Sequence, residues 1–260
     1  MKEILVEANL LPEAYHKALV ALHTHGDVIS CNDWEQNQKE VSMTMVVQNP
    51  LAEPMVSKLF IGGFRELQQY VMEVLDGILD FKIGEDTCWE YTYHDRMVNF
   101  PVTGGGKGVD QIEFVVNELK RNSDSRRAVV NIRDNSIDPF NENPACLQHM
   151  QFLVRGGKLH CKVLMRSNDA TKATFMNAFA FIMLQGKIAN ALGVEVGTYS
   201  HRANSFHCYE KDFALLQQYV DGIGKGDIAD VTYEYDGMFK DMMEEAIPEI
   251  EELVRELKKG

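Results

Sequence analysis

The sequence predicts a single α+β domain. Segments of strand period and segments of helix period are mixed, no regular β-α-β alternation orders them, and no linker divides residues 1–260. Residues 41–48, VSMTMVVQ, are apolar and β-rich, and read as a strand. Residues 55–77 read as a helix, because Phe64, Leu67, Val71, Val74 and Leu75 recur at helical spacing. A TGGGKG loop at 103–108 precedes a helix at 109–121 and a strand at 126–133. Residues 150–155 and 158–166 form a hairpin about Gly156-Gly157. Its second strand sets Leu159, Cys161, Val163 and Met165 on one face, and His160, Lys162, Leu164 and Arg166 on the other. Residues 173–192 are apolar nearly all round, as in a core helix, and Gly193 caps them. One or two strands cover 195–208. Helices cover 209–221 and 237–258, the latter acidic first and basic last, as the helix dipole favours.

Composition narrows the function classes. With 45% hydrophobic and 25% charged residues, 19 Gly and 7 Pro, the chain is neither disordered nor collagen-like nor a disulfide scaffold. At 260 residues it is long enough to bury a sizeable core without staples. A net charge of −13 argues against sequence-independent binding to nucleic acid or to an anionic membrane, although clustered arginines still bind anions locally. The five cysteines (Cys31, Cys88, Cys146, Cys161, Cys208) are odd in number and lack CxxC spacing, so they read as free thiols in a reducing compartment. The N-terminal MKEILVEANLLPEAYHK is too charged for a signal peptide, and no apolar run is long enough to span a membrane. The expectation is a cytoplasmic enzyme or small-molecule binder.

Three features invite chemistry and are weak by themselves. TGGGKG lacks phosphate-loop spacing, since Val109 stands where a hydroxyl would bind magnesium; a surface loop is the plainer reading. His201, His207 and Cys208 have no neighbour that completes a metal-ligand set, so no metal is expected. Arg126 and Arg127 are adjacent on a strand and point to opposite faces, which suits a solvated pair, a bent turn, or an anion across a subunit boundary. Cys146 is more informative. A lone cysteine is usually a small hydrophobe, but Arg166, at a strand end among polar neighbours, can stabilise its thiolate.

The ordered set DQI (110–112), DSRR (124–127), PACLQHMQF (144–152), GGKLHCKVLMRSND (156–169), Asn177, His201 and His207-Cys208-Tyr209 resembles the thymidylate synthase family over roughly residues 60–215. The resemblance implies a single α+β domain on a large mixed sheet, and a homodimer whose sites borrow arginines from the partner. It implies that Cys146 adds to C6 of a pyrimidine ring, so that C5 can accept a one-carbon unit from 5,10-methylenetetrahydrofolate or a related methylene-pterin. Residue by residue, Arg166 with Ser167 resembles the phosphate-binding and thiolate-activating pair, and Arg126 and Arg127 resemble the pair lent by the other subunit. Asp169 resembles the aspartate that holds the pterin. Asn177 resembles the residue that reads the O4 and N3 edge of uracil, a match for dUMP over dCMP. His207 and Tyr209 resemble the pair at the sugar hydroxyl. Glu66 resembles the glutamate that organises the proton-transfer waters, its rival reading being a solvated carboxylate. Tyr91 resembles the tyrosine used in C5 proton removal, with Tyr93 a rival alignment.

The chain departs from the family pattern in several places. It has no arginine before Arg65, so the phosphate is held by fewer charges, or a lysine or Arg65 substitutes, or the nucleotide differs. Leu147 follows the cysteine where histidine is usual, and FMN replaces PFN at 175–177. The charged IPEIEELVRELKKG stands where an apolar closing tail is usual, and Trp89 is a poor fit for the tryptophan that packs on folate. These departures resemble archaeal-type synthases and phage or antibiotic-pathway nucleotide hydroxymethylases. Three readings stay open: a dUMP methylase, a hydroxymethylase of dUMP, dCMP or CMP in which water replaces hydride, and a non-catalytic nucleotide-binding relative.

Overall fold

The computed structural model describes residues 1–84, 89–102 and 104–259, so Cys88 and Thr103 of the sequence readings lie outside the described residues. The chain opens on a strand, β1 (Glu3–Ala8), and a helix, α1 (Leu11–His25), neither of which was expected from the sequence. Pro12 sits in the first turn of α1, where its missing N–H costs nothing, and Leu11, Tyr15, Leu19 and Leu22 are buried. Strands β2 (Asp27–Cys31) and β3 (Gln36–Val47) follow, linked by a tight turn in which Glu35 adopts φ 48°. The expected helix at 55–77 is shorter. It is preceded by a short strand, β4 (Val56–Ser57), and begins as α2 (Phe64–Asp76). Gly62, at φ 118°, keeps the preceding stretch out of the helix, and Gly77, at φ 65°, ends it.

Thr92 caps α3 (Tyr93–Val98) and Asp110 caps α4 (Gln111–Arg121), each accepting a backbone N–H three residues on. Strand β5 (Val129–Asn131) is the central part of the expected 126–133 strand. The expected hairpin is β6 (Leu147–Arg155) and β7 (Lys158–Asp169), longer at its open end than its sequence periodicity suggested. The core helix is α5 (Thr174–Leu192), closed by Gly193 at φ 68°. A single strand, β8 (Glu195–Tyr209), spans 195–209. After α6 (Phe213–Ile223), strand β9 (Thr232–Tyr233) pairs with β4. The expected helix at 237–258 is two helices, α7 (Met238–Glu245) and α8 (Ile247–Leu257), the second starting around Pro248.

Seven strands form one mixed sheet in the order β1-β3-β8-β7-β6-β5, with β2 on β3. The β1–β3 and β7–β8 pairs are parallel and the others antiparallel. Helices α1, α5 and α4 pack on β3, on β7 with β8, and on β5. Met43, Met45, Val163, Met165 and Tyr199 of the sheet are buried. The face carrying His160, Lys162 and Leu164 is only partly covered, as the alternation in β7 required. On β8, Arg202 reaches Glu3 at 3.1 Å and Ser42 at 3.1 Å.

The polar residues inside the sheet are bonded to one another. The Tyr199 hydroxyl lies 2.8 Å from His201 Nδ1, and His201 Nε2 lies 2.8 Å from Asn168 Oδ1. Burial drives the His201 pKa down to about 3, so the ring stays neutral. Among the described residues, no group of three or more His, Cys, Asp or Glu gathers as a metal ion would need. In the TGGGKG loop, Gly104, Gly105 and Gly106 all have positive φ and meet nothing within 4 Å of an added Cβ, the geometry of an open surface turn.

Candidate active site

Cys146 stands immediately before β6, at the end of the connection from β5, and side chains from three other elements fix that connection. Arg166, near the end of β7, donates from Nη2 to Pro144 O at 2.7 Å and from Nε to Ala145 O at 3.1 Å. Its backbone N–H donates to Cys146 O at 2.8 Å. Glu90 accepts the backbone N–H groups of Glu142 and Asn143 at 3.0 and 2.9 Å. The Tyr93 hydroxyl accepts the backbone N–H of Leu147 at 3.3 Å, and the Tyr91 hydroxyl stands beside the backbone of Cys146. Both tyrosines therefore flank the cysteine, which is why the sequence alone did not separate them. Deeper in, Arg96 donates from Nη2 to Asp138 at 3.0 Å and approaches Asp134 at 3.7 Å. It also lies 6.0 Å from the centre of the Tyr91 ring.

Two opposed effects act on the Cys146 thiol. Burial raises its pKa and the Arg166 charge lowers it, with burial the larger in the single chain. Arg166 thus acts in the expected direction, while two of its guanidinium nitrogens are already committed to the loop. Burial also raises Tyr91 to about 12, so it is a neutral phenol near pH 7.

Beside Arg166, strands β7 and β8 pair Ser167 with Ser205 and Asp169 with His207. Ser167 Oγ and Ser205 Oγ both lie 3.4 Å from His207 Nδ1. The His207 Nε2 atom is buried and has no partner among the described residues. Tyr209 stands edge-on to His207 at 4.8 Å between ring centres. On its other side, Trp34 from the β2–β3 turn packs edge-on at 6.2 Å. This turn places an exposed indole, flanked by Asp33 and Glu35, beside Tyr209. Asn177, in the first turn of α5, accepts a hydrogen bond at Oδ1 from the Tyr70 hydroxyl of α2.

A cavity of about 330 Å³ opens beside this site, lined by Tyr70, Glu73, Leu79, Trp89, Tyr91 and Asn143, among others. Its buried carboxyl is Glu73, whose pKa burial raises while a 2.9 Å bond from Gln69 opposes the shift. Glu66 is elsewhere. It is exposed at the start of α2, where its carboxylate accepts the Gly63 N–H at 2.8 Å, a bond that lowers its pKa. Glu66 thus caps the start of α2, while Glu73, two turns further along the helix, lines the cavity. Arg65, the candidate substitute phosphate ligand, is engaged elsewhere in the single chain. It pairs with Glu249 of α8 at 3.3 Å. Asp169 spends Oδ1 on Thr171 and Lys172 in the turn after β7. Arg126 and Arg127 are exposed beside β5, where the Arg126 carbonyl accepts from Gln151 at 3.0 Å.

Sequence reasoning passed over Tyr70, Glu73, Glu90 and Arg96. The partners of Tyr70, Glu90 and Arg96 are far along the chain, as with the 42-residue separation of Arg96 and Asp138. Only the spacing of Tyr70 and Glu73 on one face of α2 was a usable signal.

The mixed sheet thus holds a half-buried cysteine between tyrosines, next to a strand-borne arginine. The family described as thymidylate synthase matches residues 64–226, and the chain belongs to that family. A relative from Methanocaldococcus jannaschii, whose own assignment as a thymidylate synthase is provisional, is 30% identical over 223 residues, covering 83% of this chain and 96% of that one. The thymidylate synthase of Bacillus subtilis subsp. natto is 34% identical over 113 residues, 43% of this chain and 40% of its own. The solved thermostable thymidylate synthase A of Bacillus subtilis superposes with a TM-score of 0.66 at 19% identity, covering 83% of this chain and 84% of that chain, a likeness of fold.

Proposed function

We propose that the chain transfers a one-carbon unit to C5 of a pyrimidine nucleotide, methylating dUMP to dTMP through a covalent adduct of Cys146 at C6. The observation that carries this reading is the fixed placement of Cys146 beside Arg166, Tyr91 and Tyr93. On this reading the thiolate adds to C6 and makes C5 a nucleophile. Negative charge then develops on the C4 oxygen, where the Asn177 amide is the donor. Tyr91, a neutral phenol beside Cys146, orients by hydrogen bonding a water that takes the C5 proton and passes it to solvent, with Tyr93 beside it. Arg166 and Ser167 hold the phosphate, and the unpartnered His207 Nε2 with the Tyr209 hydroxyl takes the sugar hydroxyl.

The pterin co-substrate, 5,10-methylenetetrahydrofolate or a related methylene-pterin, supplies the one-carbon unit and the reducing hydride. The cavity fits such a group: its walls at Leu79, Trp89 and Tyr91 are apolar and aromatic, and Glu73 offers a carboxyl to ring N–H donors. Asp169 keeps Oδ2 clear of hydrogen bonds among the described residues and is the second acceptor on this reading. A second reading, a nucleotide hydroxymethylase, is favoured by α8. Its apolar Ile250 packs with Met72 of α2 rather than over the cavity, which leaves water a route to the reacting carbon. Incubation with methylenetetrahydrofolate and dUMP, dCMP, UMP or CMP, followed by mass spectrometry, separates the two. A methyl product with dihydrofolate supports the synthase; a hydroxymethyl product with tetrahydrofolate supports the second reading and sinks the first.

The reading includes a cytoplasmic homodimer formed through the partly covered sheet face, where Val46, Leu153 and Leu164 are half-exposed. It assigns Arg126 and Arg127 to the partner's phosphate site. Mixing inactive Cys146→Ser chains with inactive Arg126→Ala/Arg127→Ala chains should therefore restore activity. If subunits exchange freely, half the dimers are mixed and each has one complete site, about a quarter of wild-type activity. A mixture as inactive as its parts would show that the arginines serve their own chain.

A further inference from the structure

The Tyr70–Asn177 contact joins two helices that pack directly against each other, α2 and α5, so both partners sit on rigid elements. Asn177 is 5% exposed. An asparagine amide has two flips that present opposite hydrogen-bonding patterns, and what surrounds it decides between them. Here the phenol decides. Among the described residues the Tyr70 O–H has one acceptor in reach, Asn177 Oδ1. Turning the amide over would set the NH2 group against the phenol and leave its O–H without a protein acceptor, a loss at a half-buried hydroxyl. Burial also raises the Tyr70 pKa far above neutrality, so the hydroxyl keeps the proton it donates.

We infer that Tyr70 sets the base preference of the cleft by locking the Asn177 amide with its oxygen toward the phenol and its NH2 free to donate to the base. The inference rests on the nucleotide reading of the site and adds to it a residue that no base contact requires. The locked amide offers a donor at Nδ2 and one remaining lone pair at Oδ1. Uracil complements that pair, with an acceptor at C4 and a donor at N3. Cytosine opposes it, with a donor at C4 and an acceptor at N3. Without the phenol the amide turns over at little cost and matches cytosine as well. Tyr70 is thus a positioning residue acting through Asn177.

The test is calorimetric binding of dUMP and dCMP to the full chain, without pterin, in the wild type and in Tyr70→Phe. The wild type should favour dUMP, and Tyr70→Phe should narrow that preference about tenfold, chiefly because dCMP binds better. The same pair is measured on Asn177→Asp, whose carboxylate oxygens are equivalent and have no flip to lock. There, loss of the Tyr70 hydroxyl should leave the dUMP-to-dCMP ratio where it was. In the unsubstituted protein, dUMP should shift the Asn177 side-chain NH2 resonances and dCMP should leave them in place. A wild type that favours dUMP beside a Tyr70→Phe variant with the same ratio overturns the role of Tyr70 alone. So do NH2 resonances that move equally with both nucleotides. A wild type that binds neither nucleotide overturns the nucleotide reading, and the role of Tyr70 with it.

Discussion

Cys146→Ser is expected to lower turnover by about a thousandfold or more while leaving nucleotide affinity within a few-fold of the wild type. Serine matches cysteine in shape, so the loop held by Arg166, Glu90 and the two tyrosines keeps its form. A serine hydroxyl ionises far less readily than a thiol, and the nucleophile is lost. Tritium release from C5-labelled dUMP reports the chemistry and equilibrium binding reports the cleft; unchanged release would sink the covalent mechanism. The wild-type reaction carries a pH signature. Burial holds the Cys146 thiol above its ordinary value and Arg166 pulls it back down. Thiolate, the reactive form, therefore becomes more abundant as pH rises through neutrality, and alkylation of Cys146 should accelerate accordingly. Arg166→Gln removes the downward pull and should displace that rise to higher pH.

Arg96→Leu is expected to destabilise the fold by about 3–5 kcal/mol, because it leaves a buried carboxylate without its counter-charge. Asp138 is 1% exposed, and Arg96 is the guanidinium that meets it. Asp138 also accepts the Asp134 N–H at 2.9 Å, so the whole 134–138 turn depends on this pair. Urea unfolding measures the loss. Replacing both partners, Arg96→Leu with Asp138→Leu, should recover only part of the stability: the lone charge of Asp138 is gone, but buried Asp134 still lacks Arg96 and its N–H loses its acceptor. It should not recover turnover, because the connection carrying Cys146 and the ring of Tyr91 both lean on Arg96. Wild-type stability in the single variant would remove Arg96 from this account.

Legibility in the sequence followed the range of the interactions. Strand β7 and helix α5 were readable because burial imposes a period on each: alternation in one, apolar surface all round in the other. Cys146, Arg166, Asp169, Asn177 and His207 entered the proposed site through a family resemblance carried by a whole motif set, not through periodicity. Strand β1 and helix α1 were not, because charge at the chain start drew the reading toward targeting signals and away from a strand with exposed Glu3 and Glu7. Glu66 and Glu73 lie two turns apart on nearly the same face of α2, and a helix wheel, which shows angle and not height along the axis, does not say which of them reaches the cavity. The single helix expected at 237–258 ignored Pro248, which fits only a new first turn.

Trp34 and Trp89 are the two tryptophans of the chain. One stands at the Tyr209 end of the site and the other lines the cavity beside Tyr91. The protein therefore carries a built-in optical probe at each end of its cleft. Its emission should respond to an occupant at either position, and replacing one indole by phenylalanine would leave a lamp for the other. The order in which two ligands enter can be followed in the unlabelled protein, by light alone.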